Sequence, residues 1–190
     1  MKCIITKGNN KLGLIPNSSI IPIKDCVNCE WCKDYCYANK FIKRYPTVKR
    51  AWEYNSFIAH NELDTWVDNH YEYVSDNKPA YFRYFVGGDI ISEDMFSSII
   101  DIARSNNATT FLLFTKAFEY IAGLYRSIPE NLNVKLSIFP GMSIPCIDLP
   151  IARTIFKGDA VPMDYDMCSG SCIDCKKCFN SNCNIAFKKH

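Results

Sequence analysis

The chain has 190 residues, 48% hydrophobic and 22% charged, and its 22 basic and 20 acidic side chains leave a net charge of +2. That length supports one domain with an ordinary apolar core needing no disulfides, the aromatic content excludes a disordered chain, and the near-neutral balance argues against a protein built mainly to wrap nucleic acid. No apolar run approaches the ~20 residues of a spanning helix, and residues 1–16 carry Lys2, Lys7 and Lys11 without an apolar stretch, so the expectation is a cytoplasmic protein, neither exported nor membrane-bound.

In chain order, residues 1–46 form an N-terminal strand region ending in a cysteine run, Cys26-x2-Cys29-x2-Cys32-x3-Cys36. Lys40, Lys43, Arg44, Lys49 and Arg50 follow with no acid among them, either as a solvated basic helix end or as a surface for a phosphate or acidic partner. Residues 47–163 read as a βα core. Its first part, 47–75, is one long or broken helical region with Leu63, Trp66, Val67, Tyr71 and Val74 inward and Asp64, Asp68, Glu72 and Asp76 on a solvated face. Apolar strands are expected at 81–86, 109–115 and 134–139. Helices are expected after Ser92, which suits an N-cap with Glu93 and Asp94 in the first turn, and at 118–128 and 148–156, with a last strand at 159–163. Alternating strands and helices with nearly continuous apolar strands imply an α/β fold, a partial (β/α) barrel or an open, mainly parallel sheet, with cysteine-rich loops at the two ends. Residues 164–190 form the tail, with Cys168-x3-Cys172-x2-Cys175-x2-Cys178-x4-Cys183.

Nine of eleven cysteines thus fall in two runs, and in an unsecreted protein that composition means metal or redox chemistry rather than disulfides. Thiolates two or three residues apart in a loop can surround an iron–sulfur cube, whose irons each take a soft sulfur donor. The first run has the spacing of a bacterial ferredoxin cluster run, with Tyr37 in place of the usual proline. Zinc competes, since Cys26 and Cys29 with Cys175 and Cys178 would make a two-pair site. Five cysteines in the second run exceed one cube's four ligands, so the individual ligand assignment stays open, as does one cluster or two. Cys3 and Cys146 lie alone and read as small buried residues.

Ligands of open α/β sheets bind beyond the C-terminal ends of the strands. Gly87-Gly88-Asp89 after one strand and Thr115-Lys116 after the next fall there. The glycines suit either a close backbone approach to a ligand or a tight turn, and Lys116 either a site or the plain surface. Arg83, flanked by aromatics in mid-strand, needs a carboxylate if buried, with Asp89 the nearest candidate. Arg83 and Lys116 are the candidate catalytic side chains. His60, His70 and His190 show no ligand spacing.

Several of these segments together resemble a known family. Cys32-Lys33-Asp34-Tyr35-Cys36-Tyr37-Ala38, the stretch from Arg83 to Ser92, Phe114-Thr115-Lys116 and Cys172-x2-Cys175-x2-Cys178-Phe179 are similar to the motifs of the small phage and plasmid proteins grouped as gene product 88. Those proteins in turn resemble radical S-adenosylmethionine (SAM) enzymes, which hold a three-cysteine [4Fe-4S] cluster in a partial α/β barrel. The resemblance implies that Gly87, Gly88 and Asp89 meet the SAM amino group, with Asp where the usual motif has Glu. It departs from the pattern in the cysteines. The usual C-x3-C-x2-C spacing is absent from the first run and occurs literally at Cys168, Cys172 and Cys175. The expected function is therefore a radical-SAM-like iron–sulfur protein served by a low-potential electron donor. A ferredoxin-like carrier and a zinc-stabilised nucleic-acid-binding protein are the alternatives, and the substrate is not legible.

Overall fold

The computed structural model describes residues 1–9 and 11–189; His190 lies outside them. The chain enters the sheet through the two-residue strand β1 (Asn17–Ser18), passes the first cysteine run, and continues into helices α1 (Tyr37–Arg44), α2 (Pro46–Asn61) and α3 (Leu63–Asn77). Pro46 separates the first two helices, because it pushes Tyr45 into extended backbone and itself suits the first turn of α2. Lys78 ends α3 in the left-handed conformation, ahead of Pro79. Then come β2 (Tyr81–Tyr84), α4 (Glu93–Ser105), β3 (Thr110–Thr115), the single turn α5 (Phe118–Ile121) and β4 (Leu132–Ile138). The chain closes with β5 (Ile151–Ile155), β6 (Tyr165–Met167), the turns α6 (Cys172–Cys175) and α7 (Lys177–Asn180), and β7 (Asn184–Lys188).

All seven strands pair in parallel in one open sheet, ordered β1-β2-β3-β4-β5-β7-β6. The period-2 alternation of a strand sends neighbouring side chains to opposite faces. Phe82, Tyr84, Phe111, Leu113, Val134 and Leu136 face the helices and join Trp66, Phe96, Ile99 and Ala103 in the main core. Arg83, Leu112, Phe114 and Ser137 face the other way and line a cavity. α4 forms as its sequence predicts, with the Ser92 hydroxyl accepting from Met95 N at 3.1 Å. No helix among the described residues is long and apolar enough to cross a membrane.

Several expectations are corrected. Residues 148–156 contain a strand, not a helix: Pro150 offers its carbonyl to Leu136 N at 2.8 Å, and the Ile-Ala-Arg-Thr-Ile run after it is rich in β-branched residues that favour extended backbone. Residues 159–163 form no strand, and β6 begins at Tyr165. The helix expected over 118–128 is one turn followed by a 3-10 turn at Tyr125–Ser127, with Gly123 between them. On α3, Trp66 and Val74 are buried as expected, but the third buried residue is His70 and Tyr71 is exposed; Asp64, Asp68, Glu72 and Asp76 are solvated as expected. The tail is more than loop, since β7 lies inside the sheet between β5 and β6.

Candidate functional site

A cavity of about 200 Å³ occupies the face of the sheet turned away from the main helices. Its floor is made by Arg83, Leu112, Phe114, Ser137, Ala152, Thr154 and Phe187, from five strands, so this face is concave. Both cysteine runs reach it. Cys26, Cys29, Cys32 and Cys36 line it together with Gly87, Gly88, Asp89 and Lys116, and so do Cys168, Cys172 and Cys178. Although one run precedes the βα core in sequence and the other follows it, the sheet brings them to one space. Cys175 is exposed and lines a small adjoining cleft, and Cys183 Sγ lies 2.9 Å from Ser181 Oγ. None of the cysteines is in a disulfide. Cys146 is exposed rather than buried, while Cys3 packs on the core.

The first run is spaced by two 3-10 turns, Cys29–Trp31 and Lys33–Tyr35. Three residues per turn places positions i and i+3 on one side, which brings Cys29 and Cys32 together; Cys32 N donates to Cys29 O at 3.0 Å. Cys36 then starts α1. The loop is fixed at three points. Asp25 accepts from the Ser56 hydroxyl and lies 3.0 Å from His60 Nε2, Asp25 O accepts from Asp89 N at 2.9 Å, and Asn28 Nδ2 donates to Lys116 O at 2.8 Å. The order Ser–Asp–His, with the carboxylate in the middle, is an anchor and not a nucleophile array, because the serine proton goes to the aspartate.

Asp89 is 1% exposed and accepts from Thr115 Oγ1 at 2.6 Å, Ile90 N at 2.8 Å and Lys116 N at 2.8 Å. Burial pushes its carboxyl upward, and the Lys116 charge and these hydrogen bonds oppose the rise. Burial works to lower Lys116, but Asp89 and the thiols of Cys32, Cys26 and Cys36 more than reverse it. Arg83 does not meet Asp89. Its guanidinium lies over the Phe114 ring at 5.1 Å, its Nε has no hydrogen-bond partner, and its charge acts on Cys172 and Cys178. Phe85, in the left-handed region at φ 52°, and Gly88 at φ 80° turn the chain between the two residues and carry Asp89 to the first cysteine group.

The two groups therefore sit in different electrostatic surroundings. Burial pushes Cys26 up to about 12, with Asp89 adding to the rise and Lys116 opposing it. Burial pushes Cys178 up to about 12, opposed by Lys135, and raises Cys172, opposed by Arg83 and Lys11. Lys135, Lys11 and the Asp25 anchor were not singled out from the sequence. The signal for Lys135 was present, since Asn133, Lys135 and Ser137 alternate with apolar residues along one strand. Buried on β4, its Nζ donates to Ser181 O at 3.0 Å and Cys183 O at 2.9 Å. Among the described residues, no three His, Cys, Asp or Glu side chains stand together as a ready ligand set for one metal ion.

The glycines answer first to packing. A Cβ on Gly87 would lie 2.3 Å from the Trp52 ring, and one on Gly88 would lie 2.3 Å from Ile20. Gly88→Ala, strained in backbone as well as crowded, is expected to lower unfolding free energy by about 2 kcal/mol, measured by urea denaturation. An unchanged midpoint would mean that the turn relaxes freely.

Fold and cavity together define an open parallel α/β protein whose strand ends and concave face carry two groups of free thiols. The family model described as Gene product 88 matches residues 5–149, and the chain belongs to that family. The match takes in the first cysteine run, Gly87-Gly88-Asp89 and Lys116, and ends before the second run. No curated protein and no solved structure matches the chain.

Proposed function

We infer that this is an iron–sulfur protein in which the two cysteine groups hold separate [4Fe-4S] clusters and the cavity between them admits SAM for reductive cleavage. The observation that carries the reading is the meeting of two runs of free thiols on one cavity of a parallel sheet. Soft sulfur donors in this number suit irons that each take one thiolate. When bound, such clusters would supply single electrons, and reductive cleavage of SAM would need the low end of their range, roughly −400 mV or below, hence a low-potential donor partner.

The chain's own residues have definable tasks. Cys26, Cys29, Cys32 and Cys36 are the ligand pool of one group, and Cys168, Cys172, Cys175, Cys178 and Cys183 that of the other. Arg83, Lys11 and Lys135 offset the negative charge of thiolates in the second group; Lys116 does the same in the first. Asp89 spends three of a carboxylate's roughly four acceptor sites inside the protein, which leaves about one for a ligand ammonium. Burial favours the protonated thiols of Cys26 and Cys178, so their use as ligands would release protons.

Protein purified without air is expected to carry iron and matching acid-labile sulfide, about four irons per cluster. Cys29→Ser with Cys32→Ser, and Cys172→Ser with Cys178→Ser, should each remove roughly half the iron, and Cys146→Ala should change nothing. Stoichiometric zinc without sulfide defeats the reading. With dithionite and SAM, release of 5′-deoxyadenosine is expected; full iron loading without SAM binding would leave an electron carrier.

A further inference from the structure

The cavity makes no use of the outer surface of α1, yet that surface is strongly one-sided. Residues 35–52 hold five cations and no acid. Lys49 is paired with Glu53 at 3.4 Å, whereas Lys40, Lys43, Arg44 and Arg50 are exposed and form no ion pair among the described residues. Ala38 and Ile42 are buried against the fold and fix the rotation of the helix. Phe41 and Tyr45 are thereby left 41% and 39% exposed among the free cations, with ring centroids 4.6 Å apart. The rings are supported from behind and beside: Phe41 stacks on buried Trp52 at 6.5 Å, and the Arg44 guanidinium lies over Tyr45 at 5.5 Å. The helix begins next to Cys36, at the cavity rim.

We propose that α1 and the start of α2 bind single-stranded nucleic acid, with phosphates on the free cations and bases stacked on Phe41 and Tyr45. Cations spaced along a surface displace the counterions of a phosphate backbone, and every base has a face that stacks on an aromatic ring, so the combination binds strands with little regard to sequence. A lipid surface fits less well, because the aliphatic side of α1 is spent on the fold. An acidic peptide would use the charges but not the rings. The proposal does not depend on what the thiols bind.

The test is fluorescence anisotropy of a short labelled oligothymidylate with the full chain, handled without air. Binding is expected at low ionic strength, weakening with salt by about 0.7 log units per tenfold salt for each phosphate contact. Replacing Lys40, Lys43 and Arg44 by Ala should weaken it at least about tenfold and make the slope shallower by about 2. Phe41→Ala and Tyr45→Ala should each cost roughly tenfold in affinity with the slope unchanged, which separates stacking from charge. Should Phe41→Ala unfold, Phe41→Leu keeps the packing without the flat ring and should weaken binding similarly. No binding at low salt, undiminished binding by the triple variant or by the ring variants, or tighter capture by phosphatidylserine vesicles or polyglutamate overturns the proposal.

Discussion

Asp89→Asn is expected to destabilise the protein by about 3–5 kcal/mol, the cost of breaking a buried charged arrangement by removing one partner. The carboxylate receives two backbone N–H groups and one hydroxyl, and its charge is the largest of those that raise Lys116. Asparagine replaces one acceptor oxygen with an NH2 group, which then confronts a donor, so at least one buried N–H loses its partner while the Lys116 ammonium loses its anion. The consequence spreads, because Asp89 N holds Asp25 O and Lys116 O holds Asn28, two of the three points that tie down the first cysteine loop. Urea denaturation followed by circular dichroism measures the loss. Lys116→Met should cost less, about 1–2 kcal/mol, since the three donors to Asp89 remain. An Asp89→Asn protein within 0.5 kcal/mol of the parent, roughly the range of an ordinary surface change, would show that the carboxylate is not an anchor and would return it to a ligand-binding role alone.

The parts of this fold that were legible in the sequence are those in which local and tertiary demands agree. Strands β2 and β3 are largely buried on both faces, so they appear as nearly continuous apolar runs, β4 carries an apolar residue at every second position, and α4 carries its own N-cap. β1 was recognisable only as a region, because two residues carry no periodicity. β5 was misread because Pro150 and Arg153 interrupt its apolar pattern, and β7 was hidden behind the cysteines that precede it. The cysteine groups were visible as groups, yet their meeting on one cavity depends on the insertion of β7 between β5 and β6, a long-range pairing that no window of sequence contains. The expected Arg83–Asp89 pair failed for a local reason. Six positions of separation placed them near one another, but the left-handed Phe85 and Gly88 send Asp89 past the strand end while Arg83 stays on the concave floor.

The same separation divides the cavity into two electrostatic halves. Arg83 and Lys11 oppose the rise at Cys172 and Lys135 opposes it at Cys178, whereas Lys116 and Asp89 act in opposite directions on Cys26 in the first group.

A pH dependence follows from His70, which the sequence left unassigned. It is fully buried on α3, packed against Trp66 with ring centroids 3.8 Å apart and planes tilted by 30°, and its Nδ1 donates to Trp66 O at 2.6 Å. Its Nε2 has no hydrogen-bond partner, so a second proton would be buried without an acceptor. Burial accordingly lowers the imidazole from 6.5 to about 4, and the bond to Trp66 opposes only part of that shift. Between those two values the unfolded chain binds more protons than the folded one, so stability rises with pH across the window and is lost as pH falls through it. The full loss approaches about 3 kcal/mol, of which about 2 kcal/mol is spent between pH 7 and pH 5. His70→Phe keeps a ring against Trp66 and cannot titrate. Urea denaturation of both proteins at pH 7 and pH 5 is expected to show the parent losing about 2 kcal/mol more than the variant; comparing the two removes the contribution of every other acid-sensitive group. Equal losses in parent and variant would mean that His70 is reached by water and titrates as an ordinary imidazole.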